Sequence, residues 1–407
     1  MRILMVSDVS FPRVNGVSTS IATFRRSLAE RGHDSTLLAP AYPGAPTGEP
    51  GIIRIPSRAV PRDPEDRMMS GARVVALAAE LAPRGFDIVH VHTPFVAHYA
   101  GIALARRLGV PVVETYHTFF EEYLHHYVPF LPRGLTRLLA RRFSVAQCRQ
   151  VDALIVPTAR MLALLRGYGV AARAEVLPTG IDLDRFRGGD GAAFRRRYGI
   201  AAGRPVLVHI SRVAHEKNID FVLEAVARVR REVPDVLLVI AGEGPALGHL
   251  QRLAARLGLD GSVLFVGYLD RDGALLDCYR AGDAFVFASR TETQGLVLLE
   301  ALALGVPVVS TAVLGTADVL DGVHGALVAP DDVDGFAAAV SRVLRDGALR
   351  LRLAAAAPAD AAAWSAGAMA ERLAALYREV IDAAVPRYSA GPATLDPDPT
   401  CPPSGSE

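Results

Sequence analysis

The sequence predicts an α/β protein of two Rossmann-like, doubly wound lobes with a cleft between them. Three observations carry this. Short apolar runs of strand length recur along the chain, separated by stretches of helical apolar periodicity. That alternation calls for parallel sheets with right-handed crossovers. The series also occurs twice, and between its two copies Asp182–Gly203 is polar, glycine-rich and charged, which reads as a linker.

In the first series, Met1–Asp8 is a strand, Phe11–Ser18 a loop with Pro12, Asn15 and Gly16, Thr19–Arg31 a helix stopped by Gly32, and Asp34–Ala39 the next strand. Pro40–Asp66 is rich in Pro and Gly and reads mostly as loop. Asp87–His92, Val110–Thr115, Asp152–Pro157 and Ala174–Pro178 read as strands, with a long helical tract over Glu121–Gln150 broken near Pro129–Pro132. The second series places strands at Val206–Ile210, Val236–Gly242, Val263–Gly267, Ala284–Ala288 and Val306–Ser310. Trp364–Ala384 is a helix whose partner the pattern does not name, and Pro386–Glu407 has too few apolar residues to fold. The expected division is 1–185, 186–363, the helix 364–385 and a disordered tail 386–407.

Composition narrows the function classes. At 407 residues, 51% hydrophobic and 21% charged, the chain matches a soluble α/β protein. A net charge of +1 gives no global signal for nucleic acid. The charge is uneven: residues 1–185 hold 22 Arg against 16 acids, which suggests two lobes with different partners. Three cysteines, Cys148, Cys278 and Cys401, have no metal-like spacing and point to a reducing compartment. The opening MRILMVSDVS reads as a strand and not a signal peptide, and no apolar run reaches membrane-spanning length. The expected location is the cytoplasm, with peripheral contact at the inner face of the plasma membrane.

The most informative stretch is 283–310, DAFVFASRTETQGLVLLEALALGVPVVS, a strand, loop, helix and strand. Such a loop lies at the carboxyl edge of a parallel sheet, where these folds bind ligands. The helix start near Gly295 and Leu296 offers unpaired N–H groups to a phosphate. Glu292 in the loop and Glu300 in the helix suit sugar hydroxyls better than phosphate, which they repel. Taken singly, each reads more simply as a solvated charge. Ser211–Asp220 (SRVAHEKNID) adds Arg212 and Lys217, a fork and a point charge able to grip a diphosphate. Of 44 basic side chains only Lys217 is lysine. Gly16 and Gly242 follow strands and allow close backbone approach. His117 in ETYHTFF lies at another carboxyl edge, whereas His90 and His92 read as strand-end packing. Arg133, Arg137, Arg141, Arg142 and Arg149 lie beside Phe119, Phe120, Tyr123, Tyr127 and Phe130, so the tract 119–149 reads either as an anionic-membrane contact or as an ordinary helix with a solvated face.

SRVAHEKNID, AGEGP and the Glu292/Glu300 spacing resemble the second-lobe signature of family-4 retaining glycosyltransferases. VNGVS and YHTFF resemble their first-lobe counterparts, and the resemblance covers residues 1–385. It implies a GT-B fold, with an acceptor-binding lobe over 1–185, a nucleotide-sugar-binding lobe over 186–363, and a final helix crossing back to the first lobe. It implies that Glu300 binds ribose hydroxyls and Glu292 the donor sugar. Arg212, Lys217, Gly16 and the amides near Gly295 and Leu296 would hold the diphosphate. His117 would touch the sugar near the reacting centre, and Tyr268 would approach the base. Where the family motif often opens with Gly, this chain has Ser211. The implied reaction is metal-independent, retaining transfer of a hexose from UDP-glucose or GDP-mannose. The carbohydrate or lipid acceptor would be a diacylglycerol or a phosphoinositide in the lipid case. No cofactor is expected; neither DRDGA (270–274) nor DPDPT (396–400) offers a metal-ligand set. The alternatives are a sugar-nucleotide epimerase of the same fold, which needs acid and base groups at the sugar, and a non-catalytic nucleotide-sugar binder, which needs no full set of groups around the scissile bond.

Overall fold

The computed structural model describes residues 1–43, 48–60, 63–117, 133–271 and 273–388. The first lobe contains β1 (Arg2–Val6), β2 (Asp34–Pro40), β3 (Ile52–Ile55), β4 (Ser57–Val60), β5 (Asp63–Met69), β6 (Ile88–Val91), β7 (Val112–Thr115), β8 (Ala153–Val156) and β9 (Ala174–Val176). Its helices are α1 (Gly16–Ala29), α2 (Gly71–Ala76), α3 (Ala78–Leu81), α4 (Val96–Leu108), α5 (Arg133–Cys148) and α6 (Ala159–Gly167). The second lobe contains β10 (Val206–Ile210), β11 (Leu237–Ala241), β12 (Val263–Gly267), β13 (Ala284–Phe287), β14 (Val308–Thr311) and β15 (Ala326–Ala329). With them come α7 (Gly191–Arg197), α8 (Ile219–Val229), α9 (Leu247–Arg256), α10 (Ala274–Ala281), α11 (Leu296–Ala303), α12 (Gly315–Leu320), α13 (Val333–Arg345) and α14 (Gly347–Ala362). The last helix is α15 (Ala366–Tyr388).

Two parallel sheets result, in strand orders β3-β2-β1-β6-β7-β8-β9 and β12-β11-β10-β13-β14-β15. The central strands β1, β6, β10, β11 and β13 are apolar and almost wholly buried, as sheets covered by helices on both faces require. In each sheet the order reverses beside the first strand, at β1/β6 and β10/β13. The loops leaving those strands therefore diverge and open a crevice at the carboxyl edge.

α15 packs on the first lobe. Leu373, Ala374 and Tyr377 are fully buried in the same core as Ile3, Ile21, Phe24 and Leu28. The chain crosses between lobes where Ile181 N–H donates to the Trp364 carbonyl at 2.7 Å and Ala366 N–H to the Ile181 carbonyl at 2.9 Å. Gly180 permits this crossing, because a Cβ there would lie 2.4 Å from the Ala366 Cα.

Several sequence expectations are corrected. Pro40–Asp66 is not mostly loop: it carries β3, β4 and the start of β5, the latter two forming an antiparallel hairpin. Asp182–Gly203 is not only a linker, because Asp190 caps α7 and Phe194 is buried in the second core. α1 begins three residues early, at Gly16, because Asn15 and Ser18 close a capping box ahead of Thr19. The final helix reaches Tyr388, so 386–388 are helical and not tail. The aromatics at 119–130 and residues 389–407 lie outside the described residues.

Candidate active site

The second-lobe side is built from two loops at the β10/β13 switch point. After β10, the chain turns through His215–Lys217 and enters α8 at Asn218, which takes left-handed backbone at φ 55°. The Asn218 side chain fixes this turn by donating to the Ala288 carbonyl at 3.0 Å. Ser289 and Thr291 hydroxyls donate to the Glu216 carbonyl, at 3.3 and 3.2 Å. The two loops are thus stitched together, and Lys217 Nζ meets Glu292 Oε1 at 2.5 Å. Arg212 pairs with Glu216 at 2.7 Å. Burial pushes the Glu216 carboxyl up, but the Arg212 guanidinium outweighs it and the net shift is downward.

Beneath this loop lies His209. Its Nδ1 faces the Val286 carbonyl at 2.9 Å and its Nε2 the Ser211 hydroxyl at 2.9 Å. Burial pulls the imidazole down to about 4, so it is neutral. A carbonyl only accepts; Nδ1 therefore carries the proton, and Nε2 can accept from the Ser211 hydroxyl, which also lies 3.0 Å from the Arg212 carbonyl. Ser211, where the family motif often has Gly, is thereby tied to the core.

α11 starts at Gly295, which needs left-handed backbone at φ 94°, and no side chain caps its first amides. Close packing holds the loop ahead of it: a Cβ on Gly315 would stand 2.2 Å from the Thr293 carbonyl carbon. Glu300, one turn into α11, is 4% exposed. Its oxygens accept from Arg271 Nη2 at 2.6 Å and the Tyr279 hydroxyl at 2.8 Å. The Glu300 charge holds Arg271 more firmly protonated, against the opposing effect of burial. Leu296, Glu300 and Arg271 line one wall of an interlobe cleft, whose facing wall includes Thr19, Thr23 and Arg26 of the first lobe.

On the first-lobe side, Gly16 stands exposed at the start of α1, and a Cβ there would meet nothing within 4 Å. His117 is half-buried just beyond β7, with its Nε2 3.4 Å from Nδ1 of His92. Asp8, at the end of β1, accepts from the Thr93 hydroxyl at 2.8 Å and the Ala97 N–H. Burial pushes its carboxyl up to about 6.

The structure thus brings Lys217 against Glu292, and Leu296 and Glu300 onto one cleft. Gly242 follows β11, but its missing side chain is demanded by the protein itself, since a Cβ would sit 1.9 Å from the Ser211 carbonyl oxygen. Tyr268 is half exposed after β12. Four residues escaped the sequence reading: Arg271, Tyr279, His209 and Gln294. Arg271 lies within DRDGA, whose acids suggest a metal motif and draw attention away from the arginine. Gln294 joins the lobes, accepting from Thr179 N–H and donating to its carbonyl, both at 2.8 Å. Arg160 and Asp318 form a second bridge at 3.0 Å. Among the described residues, no group of three or more His, Cys, Asp or Glu is placed to hold a metal.

Comparisons with known proteins agree with this layout. Residues 14–185 match the model of Glycosyltransferase Family 4, and residues 190–360 that of Glycosyl transferases group 1. Over 319 residues the chain is 37% identical to an alpha-monoglucosyldiacylglycerol synthase of Streptococcus pneumoniae, covering 76% of this chain and 71% of the relative. It is 35% identical to a D-inositol 3-phosphate glycosyltransferase of Geodermatophilus obscurus, covering 75% and 69%. Among solved structures, a sucrose-phosphate synthase of Thermosynechococcus elongatus superposes with a TM-score of 0.78 at 23% identity, covering 94% and 99%. Anabaena HepE in complex with UDP superposes at 0.73 and 17% identity, covering 93% and 100%.

Proposed function

Because the chain belongs to the family-4, group 1 glycosyltransferases and has their GT-B fold, we propose that it moves a hexose, with retention, from a nucleoside-diphosphate sugar to a lipid acceptor. UDP-glucose and diacylglycerol are the favoured substrates. The observation that carries this reading is the Lys217–Glu292 pair beside the uncapped start of α11. The fold neighbour HepE was solved with UDP and with UDP-glucose, and the pneumococcal relative is named for glucosyldiacylglycerol synthesis.

The chemistry follows from the pairs. A diphosphate entering beside α11 offers Lys217 and Arg212 a denser negative partner than Glu292 or Glu216. Lys217 turns to the phosphate, and Glu292 is freed to accept from sugar hydroxyls. The two cations and the α11 amides then stabilise the charge that develops on the leaving diphosphate. The C1–O bond to phosphate breaks, the C1–O bond to the acceptor forms, and the acceptor proton passes to the departing phosphate oxygen. Protein cations supply the neutralising charge, so the reading includes independence from divalent metal.

The lipid acceptor is suggested by α5, which turns leucines as well as arginines outward. It buries Thr136, Ala140, Ser144, Gln147 and Cys148 and exposes Leu135, Leu138 and Leu139 at 43%, 46% and 43%. Arg141 and Arg142 are exposed beside them. Leucines outward among arginines suit an anionic lipid surface, and among the described residues no helix is long and apolar enough to cross a membrane.

The test is transfer from UDP-glucose to diacylglycerol in mixed vesicles, with and without EDTA, with the product's anomeric configuration read by NMR. An α-linked glucolipid formed in EDTA is expected. A β-linked product would overturn retention, loss of product in EDTA would overturn metal independence, and turnover only with water-soluble acceptors would overturn the lipid assignment.

A further inference from the structure

The first-lobe side holds a run of imidazoles that the reaction above leaves unused. His90 and His92 lie two residues apart, on the same side of β6 and its extension, with ring centroids 3.9 Å apart. His90 is engaged at both nitrogens, Nδ1 by the Tyr377 hydroxyl of α15 at 2.6 Å and Nε2 by the Thr115 hydroxyl at 2.7 Å. His92 is engaged at only one. Its Nδ1 faces Nε2 of His117 at 3.4 Å, while its Nε2 is buried with no hydrogen-bond partner among the described residues.

Proton counting then fixes the pair. Burial pulls His92 well below its ordinary value, and burial pulls His117 to about 4, so both rings are neutral. A neutral imidazole carries one proton on two nitrogens. A buried N–H without an acceptor is the orphan that native structures avoid most strongly, more than an unused lone pair. The partnerless Nε2 of His92 is therefore the bare nitrogen, and its proton sits on Nδ1, aimed at His117. His117 Nε2 must accept, which leaves the His117 proton on Nδ1.

We propose that His92 is a positioning residue that locks His117 as its Nδ1–H tautomer, so that His117 meets the substrate as a hydrogen-bond donor and not as a base. The consequence for turnover rests on the transferase reading; the tautomer itself does not. A donor at this position suits a hydroxyl oxygen of the transferred sugar. It also removes His117 as a receiver of the acceptor proton, which leaves that role to the departing phosphate oxygen.

The experiment is long-range ¹H–¹⁵N spectroscopy of the labelled full-length protein at neutral pH, with the His117 signals identified by their loss in His117→Ala. A protonated Nδ1 and a bare Nε2 are expected. In His92→Leu the preference should disappear, and kcat should fall about tenfold with the donor KM little changed, the loss of roughly one hydrogen bond. His92→Asn keeps an N–H near the Nδ1 position and should recover both the tautomer and most of kcat. A proton on Nε2 of His117 in the parent protein would overturn the proposal, as would an unchanged tautomer and kcat in His92→Leu. The parent spectrum decides even where a variant fails to fold. Should no nucleotide sugar be turned over, the transferase reading fails while the spectrum still decides this one.

Discussion

On the second-lobe side of the site, charges stand in pairs: Lys217 with Glu292, Arg212 with Glu216, Arg271 with Glu300. On the first-lobe side, burial holds His90, His92 and His117 neutral. Under the proposed transferase function this difference separates two tasks. A dianionic diphosphate needs cations that are present before it arrives, and a cation waiting in a partly buried site needs a carboxylate beside it. A reacting sugar needs hydrogen bonds of fixed sense, which neutral imidazoles supply without drawing the diphosphate away. In that function one side would exchange partners when the diphosphate binds, and the other would keep them.

The largest expected effect falls on the paired side. Lys217→Ala should lower transfer by about 10²–10³-fold, the usual loss when one stabilising donor is removed. Its melting point should stay within a few degrees of the parent's. Parent-like activity in that variant would show that the charged side is not the functional one.

The neutral side should reveal itself in acid. For His90, His117 and His209 the folded-state values lie at about 3, 4 and 4, below the unfolded value of 6.5. The unfolded chain therefore binds their protons first. Their stabilisation is complete above pH 6.5 and is lost as pH falls towards 4. At pH 5 each costs on the order of 2 kcal/mol. Asp8 works in the opposite sense: its carboxyl, raised to about 6, gains stability as pH falls through 6. Burial raises Glu114 in the same sense as Asp8 and lowers His92 with the other histidines; two carboxyls do not offset four histidines, so denaturant midpoints should drop between pH 7.5 and 5. A flat profile would mean that the histidines are not held neutral.

A smaller effect tests the membrane face. Replacing Arg141 and Arg142 by Glu should weaken co-sedimentation with anionic vesicles by roughly tenfold or more, at about 1 kcal/mol per basic residue, and leave neutral vesicles unaffected. Glu300→Gln should weaken nucleoside-diphosphate binding by about tenfold in calorimetry, since the amide keeps the volume but loses the charge that holds Arg271. Unaltered affinity would detach Glu300 from the nucleotide.

The sequence made the local half of this legible. Glu292, Glu300, Arg212 and Lys217 sit in strand–loop–helix units whose turn and cap residues mark the carboxyl edge, so position could be read from neighbours. The pairing of those groups could not, since Lys217 and Glu292 are 75 residues apart and meet only because β10 and β13 are adjacent. His117 is legible as a carboxyl-edge residue, but His90 and His92 read only as packing, because His92 and His117 approach across two strands and Tyr377 reaches His90 from a helix 287 positions away. β3 (IIRI) and β15 (ALVA) are apolar edge strands of only four residues, too short for periodicity to mark them as strands. α7 hid in a glycine-rich segment whose one helix signal was the cap at Asp190.

The most direct measurement is a thermal-shift titration of the parent protein and Lys217→Ala with UDP, GDP and ADP and their glucose or mannose conjugates, in EDTA. A concentration-dependent rise is expected for the parent with UDP and UDP-glucose, and its loss in Lys217→Ala. No shift with any nucleotide, or an equal shift in both proteins, would contradict a donor site built on the Lys217–Glu292 pair.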